Sequence, residues 1–177
     1  MNMRNTSLFL LSLFILVSCQ ESTITSNFKK LLSKHKYTLV MFIAPDCPLC
    51  HTLSTPFSKL NDKYPNIQGI GIISGNYYSS MEINHFATES VFKPAIFRDN
   101  LYQIARQLNA TVTPEFYILD SKGNILYQGM MDDRIEQLGS YKQKWENNYL
   151  EDAILSVRNN LKPKIEKTTP IGCSLEH

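Results

Sequence analysis

Two cysteines lie three positions apart at the junction between an apolar run and a stretch with helical periodicity. Residues 37–44 are almost all β-branched, aromatic or otherwise apolar, which is typical of a strand covered on both faces of a sheet. A Pro-Asp pair ends this run, and from residue 48 to residue 64 apolar side chains recur every three or four positions. The sequence therefore predicts a buried strand that leads into a helix, with Cys47 and Cys50 at the start of that helix.

The rest of the chain alternates between the same two kinds of pattern. Apolar spacing predicts further helices at residues 27–35, 80–92, 101–108 and 149–161, and short apolar runs predict strands at residues 67–73, 95–98, 115–119 and 125–128. The turn chemistry of Lys122-Gly123-Asn124 predicts that the last two strands form a β-hairpin. Residues 130–143 carry no period that assigns them. The alternation predicts an α/β fold with a sheet covered by helices.

Composition and charge narrow the classes of function. Of 177 residues, 18 are basic and 16 acidic, and the resulting net charge of +2 is spread along the chain. This distribution excludes the basic footprint expected of a nucleic-acid-binding domain. Because 43% of the residues are apolar, the chain has enough hydrophobic side chains for a folded core. We therefore expect one globular domain and no nucleic-acid partner.

The first eighteen residues have the composition of a secretory leader. Arg4 precedes an apolar stretch at residues 7–17, which is too short to span a bilayer as a helix. The sequence Leu16-Val17-Ser18-Cys19 resembles the bacterial lipobox, whose cysteine receives a diacylglycerol. The resemblance implies a cleaved signal peptide at residues 1–18, a lipid anchor on Cys19 and a cell-envelope location on a bacterial membrane, outside the cytoplasm. We expect a spacer at 19–26, a domain at 27–162 and an extended tail at 163–177.

The remaining cysteines do not form the even set that a disulfide-stapled scaffold needs. With Cys19 assigned to lipid, Cys47, Cys50 and Cys173 remain, and only the first two are close in sequence. A thiolate at a helix N-terminus is stabilised by unpaired backbone N–H groups, which lowers its pKa and makes Cys47 the expected nucleophile. Cys50, one helical turn later, is placed to resolve a mixed disulfide on Cys47. The charge of Asp46 next to Cys47 is expected to raise that pKa if the charge is left unscreened, which leaves the redox potential of the pair open.

A later motif completes a known arrangement. Thr113-Pro114 precedes the predicted hairpin, and with the cysteine pair it resembles the thioredoxin-like redoxins of bacterial envelopes, including a group whose tail ends in a motif like Gly172-Cys173-Ser174. The resemblance implies a thioredoxin fold, with a central mixed sheet flanked by helices, a C-terminal helix and an extended tail. It also implies a protein-disulfide oxidoreductase without cofactor or metal, which reduces protein disulfides in the envelope. Pro114 would follow a cis peptide bond, with the backbone before it free to pair with an extended substrate.

Three residues are auxiliary candidates around this pair. Thr113 precedes the proline, and Glu115 follows it as either an acid that moves the Cys50 proton or a solvent-facing strand residue. Cys173 is either a third redox thiol that docks near the pair and relays or regulates electrons, or a tail thiol that is incidental or pairs between molecules. Ala44 stands where peroxiredoxins hold a Thr or Ser, which disfavours a peroxidase.

Two alternatives from other classes remain open. Cys47, Cys50 and His51 also satisfy the Cys-x-x-Cys-His signature of c-type haem attachment, and the other axial ligand would then come from one of three methionines: Met81, Met130 or Met131. The second alternative is a thioredoxin-fold metal chaperone with His85 as a distant ligand. The strand before the pair and the helix after it favour the thioredoxin-like interpretation over both.

Overall fold

The structure is a computed structural model that describes residues 23–175. The predicted leader, the predicted lipid-anchor residue Cys19 and the first half of the predicted spacer lie outside the described residues. In chain order the elements are α1 Thr23–Leu32, β1 Tyr37–Phe42, α2 Pro48–Lys63, β2 Gln68–Ser74, α3 Ser80–Glu89, β3 Ala95–Asp99, α4 Gln103–Leu108, β4 Val112–Thr113, β5 Glu115–Asp120, β6 Ile125–Gly129, β7 Ile135–Gln137, β8 Ser140–Tyr141, α5 Tyr149–Arg158 and β9 Cys173–Ser174. Within residues 23–175 no helix has the length and apolar character needed to cross a membrane.

A mixed sheet of five strands, in the order β3-β2-β1-β5-β6, forms the centre of the fold. Strand β1 runs parallel to β2 and antiparallel to β5, and β6 returns from β5 as the predicted hairpin. The predicted α/β class with a central mixed sheet is confirmed. Phe42, the last residue of β1, pairs with Glu115, the first residue of β5. This register brings the end of β1, and therefore the cysteines that follow it, next to Thr113 and Pro114.

Helices cover both faces of the sheet, because the side chains of the central strands alternate between two apolar clusters. Leu39 and Met41 of β1 point into one cluster, together with buried residues of α2 and α5. Val40 and Phe42 point into the other, with buried residues of α1 and α4. Burial of both faces explains why the central strands read as continuous apolar runs. The first cluster also contains Cys47 and Cys50.

Several helices end earlier or start later than their apolar spacing predicts. Helix α3 stops at Glu89 and α5 at Arg158, and the chain then takes the left-handed conformation at Val91 and Asn160. Helix α4 starts only at Gln103, after a left-handed Tyr102. Such conformations at residues other than glycine leave little sequence signal. Helix α1 likewise lies at Thr23–Leu32 rather than at residues 27–35.

The polar stretch that had no predicted structure contains a short hairpin, β7–β8. Asp132 accepts hydrogen bonds from the guanidinium of Arg134, and Asp133 accepts one from Lys142. The guanidinium of Arg134 also lies over the ring of Trp145. These side-chain contacts order a segment whose apolar content alone would not predict strands.

Candidate active site

The two cysteines occupy the first turn of α2, as predicted. Cys47 is the N-cap residue and Pro48 opens the helix, a position where its missing N–H costs no intrahelical hydrogen bond. The Cys50 N–H donates to the Cys47 carbonyl at 2.9 Å and the Cys47 N–H donates to the Ala44 carbonyl at 3.0 Å. Both side chains are buried, with 1% of Cys47 and none of Cys50 exposed to solvent. All three cysteines in the described residues are free thiols.

The Cys47 sulfur sits among hydrogen-bond donors from two parts of the chain. The pKa of Cys47 is lowered from 9.0 to about 5, chiefly by the Cys50 thiol that donates toward it. Burial acts in the opposite direction, and the thiol and N–H of Cys173, with the N–H of Cys50, add to the lowering. When it is protonated, Cys47 donates to the Thr113 carbonyl at 3.1 Å. Cys47 is therefore a thiolate at neutral pH, which is the nucleophilic form.

The pKa of Cys50 shifts in the opposite direction from the pKa of Cys47. Burial raises the pKa of the Cys50 thiol well above 9.0, and the hydrogen bond to the Cys47 thiolate and its charge raise it further. Two groups partly oppose the shift: the Ala44 N–H, which donates to the sulfur at 3.4 Å, and the nearby Thr113 hydroxyl. The Thr113 hydroxyl is buried and has no hydrogen-bond partner within the described residues, so it can donate to a Cys50 thiolate. Cys50 thus stays protonated while Cys47 is ionised.

The carboxylate of Asp46 does not keep the pKa of Cys47 high. Asp46 is exposed, and its carboxylate accepts a hydrogen bond from the hydroxyl of Tyr78. The donors around Cys47 outweigh burial, so its pKa falls although Asp46 is the preceding residue. The carboxylate contributes instead to the raised pKa of Cys173 and of Tyr78.

The Thr113-Pro114 bond is cis, as the resemblance implies, and lies opposite the cysteine pair. Glu115 is fully buried, so the interpretation of a solvent-facing residue is wrong. Its carboxylate accepts hydrogen bonds from the Thr111 N–H at 2.9 Å and from the Gln128 amide at 2.8 Å. Among the described residues, no hydrogen bond joins Glu115 to Cys50, and its role as a proton acid stays a prediction.

Cys173 docks beside the cysteine pair. Strand β9 pairs antiparallel with β4, which places Cys173 opposite Thr113. Burial and the hydrogen bond to Cys47 raise the pKa of the Cys173 thiol to about 12. The predicted docking of Cys173 near the cysteine pair is thereby supported, and its redox role stays a prediction. This pairing leaves no local sequence pattern, because each of the two strands is only two residues long.

The site also contains contacts that sequence patterns did not reveal. One ring nitrogen of His51 lies 2.8 Å from the Pro45 carbonyl, and the other lies 2.7 Å from the Ser90 hydroxyl. Both nitrogens are thus occupied within the protein, and the ring packs edge-on against Phe86. This environment does not suit His51 as an axial haem ligand. His51 and Ser90 are 39 positions apart, beyond the reach of any local pattern.

The histidine of the metal alternative faces solvent. His85 is exposed on α3, and its Nε2 lies 3.3 Å from a carboxylate oxygen of Glu89, four residues later on the same helix. Among residues 23–175, no group of three or more His, Cys, Asp or Glu side chains could hold a metal ion.

Comparison with known proteins supports the assignment of the fold. Residues 24–142 match a family model described as a thioredoxin-like domain. An uncharacterized conserved protein from Geobacillus kaustophilus has 22% sequence identity and a TM-score of 0.69, over 80% of this chain and 77% of that one. A hypothetical protein from Sinorhizobium meliloti has 20% identity and a TM-score of 0.62, over 82% and 81%. No curated protein matches the sequence. The structural likenesses show the fold, and the family model covers most of the chain, which belongs to the thioredoxin-like domain family.

Proposed function

We propose that this protein is a lipid-anchored thiol-disulfide oxidoreductase of the bacterial cell envelope. The observation that carries the proposal is that the pKa values of the two cysteines shift in opposite directions. Cys47 has a pKa of about 5 and Cys50 has one well above 9.0, so one sulfur is a nucleophile and the other holds a proton at neutral pH. Perturbed thiols of this kind, at the start of a helix, are typical of working redox cysteines.

The reaction follows from these two states. The Cys47 thiolate attacks one sulfur of a client disulfide, forms a mixed disulfide and releases the other client sulfur as a thiolate. Cys50 then loses its proton and attacks the Cys47 sulfur, which breaks the bond to the client and closes the Cys47–Cys50 disulfide. Two electrons pass from the pair to the client, which leaves as a dithiol. The direction toward reduced clients is the expectation from the family resemblance.

The second step requires Cys50 to lose its proton. The raised pKa of Cys50 disfavours its thiolate as long as Cys47 is charged. In the mixed disulfide Cys47 carries no charge, so that contribution disappears. The Ala44 N–H and the Thr113 hydroxyl then remain as donors for the developing Cys50 thiolate.

The membrane location rests on the lipobox at residues 16–19. Helix α1 begins at Thr23, only a few residues after Cys19, so the anchor would hold the domain close to the membrane surface. The Cys19→Ala variant of the full chain, produced in a bacterial host, should lose fatty-acid labelling and leave the membrane fraction. Labelling that persists in Cys19→Ala would remove the anchor from the proposal.

Exchange activity is tested with a synthetic peptide disulfide and the protein in its dithiol form. We expect the peptide to be reduced while the protein loses two hydrogen atoms, as seen by intact mass. Cys47→Ser should be inactive. His85→Ala is the control that should retain activity, whereas a metal site at His85 would make it differ from the unaltered protein. If the unaltered protein leaves the peptide disulfide intact, the proposed function is wrong.

A further inference from the structure

The backbone edge just before Pro114 is already occupied by the C-terminal tail. Strand β9 pairs with Val112 and Thr113, and the Leu175 N–H extends the pairing with a hydrogen bond to the Thr111 carbonyl at 2.9 Å. Backbone pairing of this kind is how an extended peptide adds to a free sheet edge. The tail therefore takes the place that an extended client would use beside the cysteines.

The tail also covers the nucleophile. Cys47 is only 1% exposed, although a client disulfide must reach its sulfur. Ile171 and Cys173 pack against the cluster that contains Cys47. A cleft of about 270 Å³ next to them is lined by tail residues on one side and by three tyrosines on the other: Tyr77, Tyr78 and Tyr102. Client access to Cys47 thus requires the tail to move.

Specific contacts hold the tail in this position. At its start, the Thr168 N–H donates to the Gln128 carbonyl at 3.0 Å, and the Thr168 hydroxyl accepts from the Met130 N–H at 2.7 Å. At its end, Gly172 lies so close to β4 that an added Cβ would be 2.4 Å from the Thr113 carbonyl oxygen. Only glycine fits there, because any side chain would collide with backbone.

We propose that the tail is a built-in substrate, in which Cys173 exchanges disulfide bonds with Cys47 and the strand around it keeps clients from the site. The inference deepens the proposed function and rests on it. Cys173 is paired with the residue whose carbonyl contacts the Cys47 sulfur, so its thiol occupies the position of a client cysteine. Cys47 then has two intramolecular partners, Cys50 and Cys173.

The exchange balances without an external oxidant once the Cys47–Cys50 disulfide exists. Cys173 loses its proton, its thiolate attacks the Cys47 sulfur, the Cys47–Cys50 bond breaks and Cys50 leaves as a thiolate that takes up a proton. The numbers of disulfides and of thiols stay the same. The Ala44 N–H donates to the Cys50 sulfur and the Thr113 hydroxyl lowers the pKa of Cys50, so both stabilise the charge on the departing sulfur. The product holds the tail covalently over the site.

A variant that keeps only one pair isolates this reaction. Cys50→Ser retains Cys47 and Cys173, and is equilibrated as the mature chain with oxidised and reduced glutathione, then quenched with acid. We expect a monomer two hydrogen atoms lighter, with a Cys47–Cys173 crosslink in the peptide map. The matched control, Cys50→Ser combined with Cys173→Ser, should carry only glutathione on Cys47. If Cys50→Ser yields only that adduct, or dimers linked through Cys173, the inference is overturned.

Access to Cys47 tests the covering role independently. Gly172→Val should force the tail off β4, and the reduced protein should then react several-fold faster with a bulky maleimide relative to small iodoacetamide. Thr169→Val alters an exposed tail residue that the close approach does not involve, and should leave this ratio unchanged. The ratio cancels any change in thiolate fraction. An equal ratio in the unaltered protein and Gly172→Val would overturn the covering role.

The outcomes separate this inference from the proposed function. If the unaltered protein reduces the peptide disulfide but Cys50→Ser forms no internal disulfide, only the proposed role of Cys173 is wrong. If the unaltered protein does not reduce the peptide while Cys50→Ser still closes the Cys47–Cys173 bond, the proposed function is wrong and the tail remains an internal redox partner.

Discussion

The low pKa of Cys47 depends on donors that come from its own helix and from the C-terminal tail. The Cys50 thiol makes the largest contribution, and Cys173 adds a thiol and an N–H from the tail. A helix N-terminus, which is visible in the sequence, accounts for only part of this environment. Residue patterns correctly predicted Cys47 and Cys50 at the helix start, but they could not predict the hydrogen bond that the Asp46 carboxylate accepts. Tyr78, which binds that carboxylate, is 32 positions away.

The rate at which Cys47 reacts should follow this pKa. Because the folded-state pKa is lowered to about 5, the thiolate is present at neutral pH, and alkylation of Cys47 should slow only as pH falls through 5. Cys50→Ala removes the main donor and should move the midpoint upward, whereas Thr52→Ala, an exposed change in the same helical turn, should leave it in place. An alkylation profile with the same midpoint in Cys50→Ala would contradict this account of the site.

Glu115 has a structural role that can be separated from proton transfer. Its carboxylate satisfies the Thr111 N–H and the Gln128 amide in the protein interior, and loss of a buried partner costs about 1–3 kcal/mol. Glu115→Ala should lower the free energy of unfolding by about 2 kcal/mol in a denaturant titration, and Glu115→Gln should lower it less. Unchanged stability in Glu115→Ala, together with slower closure of the Cys47–Cys50 disulfide, would instead support the proton-acid role.

At the level of helices and strands, α4 has no side-chain hydrogen bond from its own N-cap residue, and a buried carboxylate binds its first N–H groups instead. Asp99 is fully buried and accepts hydrogen bonds from the N–H groups of Gln103, Ile104 and Ala105. The residue ends β3 and lies four positions before Gln103, so the sequence pattern does not mark it as the helix cap. Apolar spacing alone therefore predicts an earlier start for α4.

Asp99→Ala should therefore destabilise the fold. Three N–H groups lose a charged acceptor, for which we expect a loss of about 2–3 kcal/mol in unfolding free energy. Asp62→Ala removes an exposed carboxylate that pairs with Lys93 and should cost less than about 1 kcal/mol. Equal losses for the two variants, measured by denaturant unfolding, would mean that Asp99 does not cap α4.

Docking of the tail onto β6 can be tested with two glycines that both have positive φ. A Cβ at Gly129 would lie 2.1 Å from the Thr168 hydroxyl oxygen and 2.5 Å from its carbonyl oxygen, whereas one at Gly139 would meet nothing within 4 Å. Gly129→Ala should therefore increase amide hydrogen exchange at residues 166–175, and Gly139→Ala should not. Both variants carry a backbone penalty for a side chain at positive φ, so no difference between them would show that the tail is not held at Thr168.

In the molecule as a whole, the site is assembled from segments far apart in sequence. Cys47 and Thr113 are 66 positions apart, and Cys173 comes from the opposite end of the domain. Apolar periodicity was sufficient to predict the sheet and its covering helices, since burial of both faces leaves a strong local pattern. The path of the tail left no such pattern, because it is fixed by single backbone pairs with Gln128 and Thr113.

The proposed function requires a covalent intermediate in which the Cys47 sulfur is joined to a client sulfur. It is tested by intact mass and peptide mapping of the Cys50→Ser, Cys173→Ser variant after reaction with a peptide disulfide, since this variant lacks both thiols that could resolve the intermediate. We expect one peptide joined to Cys47 by a disulfide that dithiol reagents release, and none in the variant that also carries Cys47→Ser. A double variant that turns over the peptide normally and holds no adduct would rule this intermediate out.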